Sequence, residues 1–259
     1  MALLTGEERA AYVAAMFSRI AWRYDLLNTL MSAGRHHAWR NIALEMALDE
    51  VTGAGHALDV ASGTCDFPLA ALSLRGKGAG RGDGPGASPP TRDLQQRWVA
   101  VDFSEPMLQV GRKKISGAGV EPRVSLLLSD AHALPFRDEA FSLATVGFGM
   151  RNFTDRPAAL AQIARVLKPG GRLAVLDIFS TSGGSAGAFL FGAAFRAVAP
   201  LLGLAFAGDR EAYTYLPESA ASFGVAQLES DMESAGLTLV GVKQLAFGSV
   251  AILIGEKHP

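Results

Sequence analysis

Three aspartates, Asp59, Asp102 and Asp130, each stand in or just after a short apolar run. An acidic residue closing the second strand of a doubly wound sheet can accept hydrogen bonds from both hydroxyls of a ribose, which recognises a nucleoside in bidentate fashion. Asp102 holds that position, at the end of Trp98-Val99-Ala100-Val101-Asp102; its competing reading is a plain strand-end cap. Asp59, Gly63 and Thr64 belong to a strand that runs into a small-residue turn and then a helix. Small residues let the main chain approach a ligand closely, and the following helix presents free backbone N–H groups. Asp130 is followed by Ala131: the carboxylate can accept a bond from an adenine amino group, and the small neighbour leaves room for the ring. Together these six residues describe a cleft for a nucleoside-type cofactor.

Such a cleft requires a sheet whose strands end side by side. From His56 onward, short β-type runs alternate with helical ones, the pattern of a parallel sheet covered by helices on both faces. The strands are expected at His56–Ala61, Trp98–Phe103, Val124–Ser129, Phe141–Gly147 and Gly171–Phe179, and the helices at Phe67–Leu74, Pro106–Ile115 and Arg156–Leu167. Thr238–Phe247 and Val250–Lys257, separated by Gly248-Ser249, predict an antiparallel hairpin. A reversed last strand separates methyltransferase-type sheets from those of dinucleotide dehydrogenases, which continue in parallel. Upstream, Tyr12, Met16, Ile20, Leu27, Leu30 and Met31 recur at helical spacing; the pattern breaks at Ser32-Ala33-Gly34 and resumes from His36 to Val51. The fold expected is therefore a single α/β domain over 1–259: a Rossmann-like, doubly wound, mostly parallel sheet with an antiparallel C-terminal strand. An N-terminal helical cap covers 1–52, a flexible Gly/Pro-rich insertion 75–93, and an acceptor-pocket or cover region 180–222. The insertion accounts for the interval from Asp59 to Asp102, which is nearly double the usual spacing of about 20 residues.

Composition closes other routes. With 49% hydrophobic and 19% charged residues and a formal net charge of -1, the chain has the make-up of a globular core and no bulk field for nucleic acid. One cysteine, Cys65, permits neither an internal disulfide nor a cysteine metal cluster. The five histidines form no evident metal motif, so no metal is expected. The N-terminal residues lack the apolar core of a secretory signal, and Ala186–Ala207 is broken by Arg196 and Pro200. A cytoplasmic protein is expected, with peripheral contact at the inner face of a membrane left open.

Several blocks go beyond this generic reading. Phe17-Ser18-Arg19-Ile20-Ala21-Trp22-Arg23-Tyr24-Asp25-Leu26-Leu27-Asn28 continues through Leu30-Met31-Ser32-Ala33-Gly34-Arg35-His36-His37-Ala38-Trp39-Arg40. Phe148-Gly149-Met150-Arg151-Asn152, Arg165-Val166-Leu167-Lys168-Pro169-Gly170-Gly171 and Tyr213–Ser219 follow. In these blocks the chain resembles the ubiquinone/menaquinone biosynthesis C-methyltransferases, the UbiE/MenG family. The resemblance implies S-adenosyl-L-methionine as cofactor, with S-adenosyl-L-homocysteine as product, bound at Thr64, Asp102, Asp130 and Ala131. It also implies a prenylated hydroquinone, a demethylmenaquinol or polyprenyl benzoquinol, as methyl acceptor; the expected partner is thus a lipophilic quinol, with a phenolic small molecule as the alternative, and a homodimer is left open. Two departures stand out. Cys65 replaces the glycine of the family's Gly-Thr-Gly-Asp, and Leu176-Asp177-Ile178-Phe179 replaces its Leu-Glu-Phe.

Ring C-methylation needs electron density on carbon, and deprotonating a neighbouring hydroxyl supplies it. Arg151 and Asn152, just beyond the fourth strand, are assigned the catalytic roles of stabilising the developing oxyanion and orienting it; the alternative for Arg151 is an Arg–carboxylate clamp at a strand end. Tyr24, Asp25 and Asn28 belong to a helix able to cover the cleft, and His36 or His37 is a candidate base. O-methylation of a phenolic or polyketide-derived acceptor and a catalytically idle cofactor-binding scaffold are the competing functions.

Overall fold

The computed structural model describes residues 6–48, 55–78, 97–180 and 223–258. Three helices come first: α1 (Gly6–Ile20), α2 (Tyr24–Ser32) and α3 (Arg35–Leu48). The expected break after Ser32 is a left-handed pair, Ala33 at φ 50° and Gly34 at φ 74°, which ends α2. The sheet strands are β1 (His56–Val60), β2 (Trp98–Asp102), β3 (Val124–Leu128), β4 (Phe141–Gly147), β5 (Leu167–Ile178), β6 (Leu237–Leu245) and β7 (Val250–Lys257). Helices α4 (Asp66–Gly78), α5 (Glu105–Gly117), α6 (Arg156–Val166) and α7 (Val225–Ser234) complete the described elements.

The seven strands lie in the order β3-β2-β1-β4-β5-β7-β6. Those from β3 through β5 pair in parallel, and β7 runs antiparallel between β5 and β6. Side chains alternate between two cores, as a doubly covered sheet requires. Leu58, Val146, Leu173 and Val175 join Leu160, Ile163, Leu228 and Met232 on the face of α6 and α7. Ala57, Leu143, Ala174 and Leu176 join Ala43, Leu44, Phe67 and Ile115 on the face of α3, α4 and α5. A third cluster, Val13, Met16, Phe17, Ile20 and Leu27 with Met107 of α5, seats the N-terminal helices against the domain.

Most boundaries fall within one or two residues of expectation, and two differ by more. β5 begins at Leu167, ahead of Gly171, because Leu167 already pairs with Phe141 before a register shift brings Arg172 opposite Leu143. α4 continues through Gly76 to Gly78, into the stretch expected to lack structure, since adding residues to a formed helix is easier than starting one. The rest of the 75–93 insertion, from residue 79, lies outside the described residues. So do residues 181–222, where the cover region and Tyr213–Ser219 fall.

Candidate active site

The strand order reverses beside β1, whose neighbours are β2 and β4. A crevice forms at such a switch point, beyond the carboxyl ends of the strands. Here it is a cleft of about 460 Å³, lined by Ala61 and Gly63 after β1, Asp102 and Phe103 at the end of β2, and Gly147 to Gly149 with Asn152 after β4. Phe17 and Tyr24 from the N-terminal helices close it. The turn after β1 is unusually bent: Ala61, Gly63 and Cys65 have φ of 53°, 55° and 65°, and Phe148 across the cleft has 57°. Left-handed backbone at non-glycine residues costs about 1–3 kcal/mol each and is found where a site needs a particular main-chain path. Close approach constrains the other wall, where a Cβ on Gly149 would lie 2.8 Å from the Cβ of Ala61.

Buried carboxylates hold this turn. Asp59 accepts from Thr145 Oγ1 at 2.6 Å and from Ser62 Oγ at 2.5 Å, so it braces the turn from beneath, and burial pushes its pKa up to about 7. Asp102 accepts from the N–H of Gly63 at 2.7 Å and of Ser104 at 2.8 Å. Burial raises it to about 6 even with these bonds opposing. Its carboxylate is a wall of the cleft and has lone pairs beyond the two already engaged.

A second, polar cleft of about 360 Å³ adjoins the first and shares Tyr24, Ala61, Gly63, Gly147 and Phe148 with it; Arg40, Asp59, Ser62, Thr64 and Asp66 also line it. A charged network runs through it. Lys114 Nζ lies 2.7 Å from Asp25 Oδ2, 2.5 Å from Asp66 Oδ1 and 3.0 Å from Thr64 Oγ1. Thr64 donates to Asp25 Oδ1 at 2.6 Å, and Arg40 reaches Asp66 Oδ2 at 2.8 Å. Burial opposes ionisation of Asp66, but Arg40 and Lys114 more than offset it and hold the group below the usual carboxylate range. The network ties α2, α3 and α5 to the turn after β1.

Asp130 and Ala131 follow β3, beside β2, and line neither cleft among the described residues. Asp130 Oδ1 is engaged by His132 through its N–H at 2.9 Å and its ring Nδ1 at 2.6 Å. Burial is outweighed by these bonds, and the carboxyl sits below its usual range. Ala131 packs into the core.

Opposite the clefts is an apolar cavity of about 600 Å³, lined by Tyr24, Asn28, Met31, Ser32, His36, Trp39, Phe148, Arg151, Ile178 and Val250. Tyr24 and Phe148 line all three spaces. Burial raises the Tyr24 phenol above its ordinary value. Arg151 forms the clamp that was its alternative reading: NH1 meets Asp177 Oδ1 at 2.5 Å and the carbonyl of Phe148 at 2.7 Å, and its backbone N–H donates to Asp177 Oδ2 at 3.1 Å. Asp177 is fully buried. The pair fixes the guanidinium at the cavity wall. Asn152 lines the first cleft instead, its amide 3.4 Å from the Phe148 carbonyl.

Cys65 adds no bulk to the clefts. Its side chain is buried against α5, where a Cβ on Gly111 would come within 2.5 Å of the sulfur. Burial lifts its thiol to about 12, far from the thiolate form that reacts. The sequence did not single out Phe148, Lys114, Asp66 or Asp177. Phe148, Asp66 and Asp177 stood inside noted blocks without a role, and Lys114 outside them; the pairing of the three charged residues is long-range, which local pattern does not encode.

Comparison with known proteins agrees with this architecture. The model of the ubiE/COQ5 methyltransferase family matches residues 5–257. A demethylmenaquinone methyltransferase of Thermus thermophilus is 40% identical over 243 residues, covering 93% of this chain and 100% of its own. One of Bacillus cereus is 35% identical over 254 residues, covering 97% and 96%. Among solved structures, a SAM-dependent methyltransferase from Aquifex aeolicus superposes with a TM-score of 0.57 at 17% identity, over 90% of this chain and 97% of its own; at that identity the likeness concerns the fold. The chain belongs to the ubiE/COQ5 methyltransferase family.

Proposed function

We propose that the protein moves a methyl group from S-adenosylmethionine to a ring carbon of a prenylated hydroquinone, with a demethylmenaquinol as the first candidate acceptor. The observation that carries this reading is the shared wall: Tyr24 and Phe148 border the cleft that contains Asp102, the polar cleft beside it and the apolar cavity that contains Arg151. Two ligands of opposite polarity would meet there. The relatives named above support the acceptor class, being demethylmenaquinone methyltransferases at 40% and 35% identity.

The residues present fit the cofactor. Asp102, a buried carboxylate at the cleft wall, suits ribose hydroxyls, and the bent turn at Gly63 allows close main-chain approach. Thr64, Arg40 and Asp66 give the neighbouring cleft both signs of charge, which suits an amino-acid zwitterion. Asp59 serves from beneath by fixing the turn; Asp130 and Ala131 line neither cleft, and the adenine end is assigned to them only by their place after β3, beside β2. When bound, the cofactor supplies an electrophilic methyl on a sulfonium.

The chain's own residues then have positioning tasks, since an in-line displacement depends chiefly on alignment. Arg151, immobilised by Asp177, presents positive charge where the acceptor oxygen gains negative charge. Asn152 orients from the cofactor side. As the ring hydroxyl loses its proton, density rises at the adjacent carbon and the new C–C bond forms there. That bond forms as the methyl–sulfur bond breaks; the ring C–H proton then leaves, the oxygen takes a proton back and aromaticity returns, so the net exchange at the ring is one methyl in and one proton out. The reading gives no metal a role. A lipophilic acceptor would be met at a membrane face; no helix among the described residues is long and apolar enough to cross one.

The test is to incubate purified protein with S-adenosylmethionine and a panel of reduced demethyl-quinones, with simple phenols and catechols alongside. Transfer to a naphthoquinol or benzoquinol, in preference to the simple phenols, is expected. Transfer to none of the quinols would overturn the reading.

A further inference from the structure

The apolar cavity contains one buried polar group that the account so far does not use. His36 of α3 is 2% exposed and lines the cavity beside Ser32. Its ring nitrogen Nδ1 lies 2.7 Å from Ser32 Oγ. The tautomer follows from counting protons. A serine hydroxyl has one hydrogen to donate and two lone pairs. Ser32 spends its hydrogen on the carbonyl of Asn28, 2.7 Å away, so toward His36 it is an acceptor. It accepts the N–H of Nδ1 and, at 3.4 Å, the backbone N–H of the same residue. Nε2 is therefore the nitrogen with the lone pair.

Nε2 has no hydrogen-bonding partner among the described residues and is not among their sealed, unpartnered side-chain atoms, and its ring is part of the cavity lining, with the His37 ring 3.9 Å away, centroid to centroid. An unmatched acceptor in a largely apolar space selects a ligand with a hydroxyl donor, because leaving a buried acceptor unsatisfied costs about 1–3 kcal/mol. The ring is also neutral near pH 7: burial, then Arg40 and His37, lower its pKa to about 4. His37 is exposed and does not line the cavity, so of the two adjacent histidines only His36 is placed for this task.

We propose that Nε2 of His36, set by the Ser32 relay, accepts the hydrogen bond of the acceptor's ring hydroxyl and so fixes which face and edge of the ring meets the methyl donor. This rests on the reading that the cavity takes a hydroxylated ring.

The test uses binding as well as turnover. The probes are the tail-less naphthohydroquinone and its dimethyl ether, titrated by calorimetry with S-adenosylhomocysteine present. The wild-type protein is expected to prefer the hydroquinone by about tenfold to a hundredfold. His36→Phe should abolish that preference while leaving S-adenosylhomocysteine affinity within about twofold, well inside the effect of one lost hydrogen bond. His36→Gln, whose amide oxygen can stand in for Nε2, should retain part of it. Ser32→Ala should weaken it and mix the tautomers, as read from imidazole nitrogen chemical shifts. Retention of the preference in His36→Phe, or equal loss in the Phe and Gln variants, overturns the proposal. If His36→Phe does not fold, a protonated Nε2 in the wild type overturns it instead, and an unprotonated one with the expected Ser32→Ala loss supports it. A protein that methylates no quinol yet shows the binding preference would remove the proposed function and leave the role of His36 standing.

Discussion

The two clefts and the apolar cavity meet at Tyr24 and Phe148, with Asn28 also common to the polar cleft and the cavity, but they are built on opposite principles. The clefts are made of main chain and carboxylates. Ala61, Gly63 and Cys65 bend the turn, and Asp59, Asp102 and Asp66 hold it through short bonds to hydroxyls, N–H groups and cations. The cavity is made of side chains from α2, α3 and the ends of β4, β5 and β7, and its polar groups are few: Arg151 is committed to Asp177 and Ser32 to Asn28 and His36, which leaves Nε2 of His36 as the acceptor without a partner among the described residues. A cofactor common to many reactions can be recognised by backbone shape. An acceptor must be recognised by the side chains that line its space, and these come from the N-terminal helices.

The largest expected effect is on the cavity side. Arg151→Ala leaves Asp177 as an unpaired buried charge, which should cost about 3–5 kcal/mol of stability by urea denaturation. It should also abolish turnover, while the folded fraction still binds S-adenosylhomocysteine. The paired change Arg151→Met with Asp177→Leu removes the buried charge and should restore most of the stability without the activity. Activity returning along with stability would reduce Arg151 to a clamp. On the cofactor side, Asp102→Ala should weaken S-adenosylhomocysteine binding by about a hundredfold, the value of one or two hydrogen bonds to a charged group. The apparent KM for the quinol should change little. An equal loss in both would mean that the two spaces are not separable.

The pH dependence sharpens the same contrast. Asp102 must be ionised to accept two hydroxyls and is raised to about 6, so S-adenosylhomocysteine affinity measured calorimetrically should fall by up to about tenfold per pH unit below that value. Asp59 works in the other sense. Its pKa of about 7 lies above the ordinary carboxylate value, so its contribution to stability is complete below about pH 4 and is lost as pH rises through 7. Asp59→Asn should flatten the difference in denaturant stability between pH 5 and pH 8, a change of about 2–4 kcal/mol. An unchanged slope would show that burial does not control Asp59. The smallest effect is at Cys65. Cys65→Gly relieves a left-handed residue but opens a hole against Gly111, and the two should cancel to within about 1 kcal/mol. The native thiol should resist alkylation until the protein unfolds, checked by mass spectrometry.

Much of the clefts was legible in the sequence, and less of the cavity. β4 runs from Phe141 to Gly147 as expected, because an apolar run between turn residues has one way to sit in a buried sheet. Asp102 and Gly63 meet at the switch point for the same reason: strand order places strand ends together. A carboxylate clamp at Arg151 was legible as an alternative, but its partner Asp177 was not, since the two are 26 residues apart on adjacent parallel strand ends and nothing local links them. The distinction between His36 and His37 also required the structure, because it depends on which face of α3 turns toward α2. Cys65, which stands where the family has glycine, is accommodated by Gly111 on another helix.

The central claim is that the two spaces deliver a methyl group to carbon. The most direct measurement is to run the reaction with isotope-labelled S-adenosylmethionine and a short-chain demethylnaphthoquinol, then locate the label in the product by NMR. The account predicts a methyl on the unsubstituted ring carbon beside the hydroxyl. A methyl on oxygen, or an unmodified quinol beside intact cofactor, would contradict it.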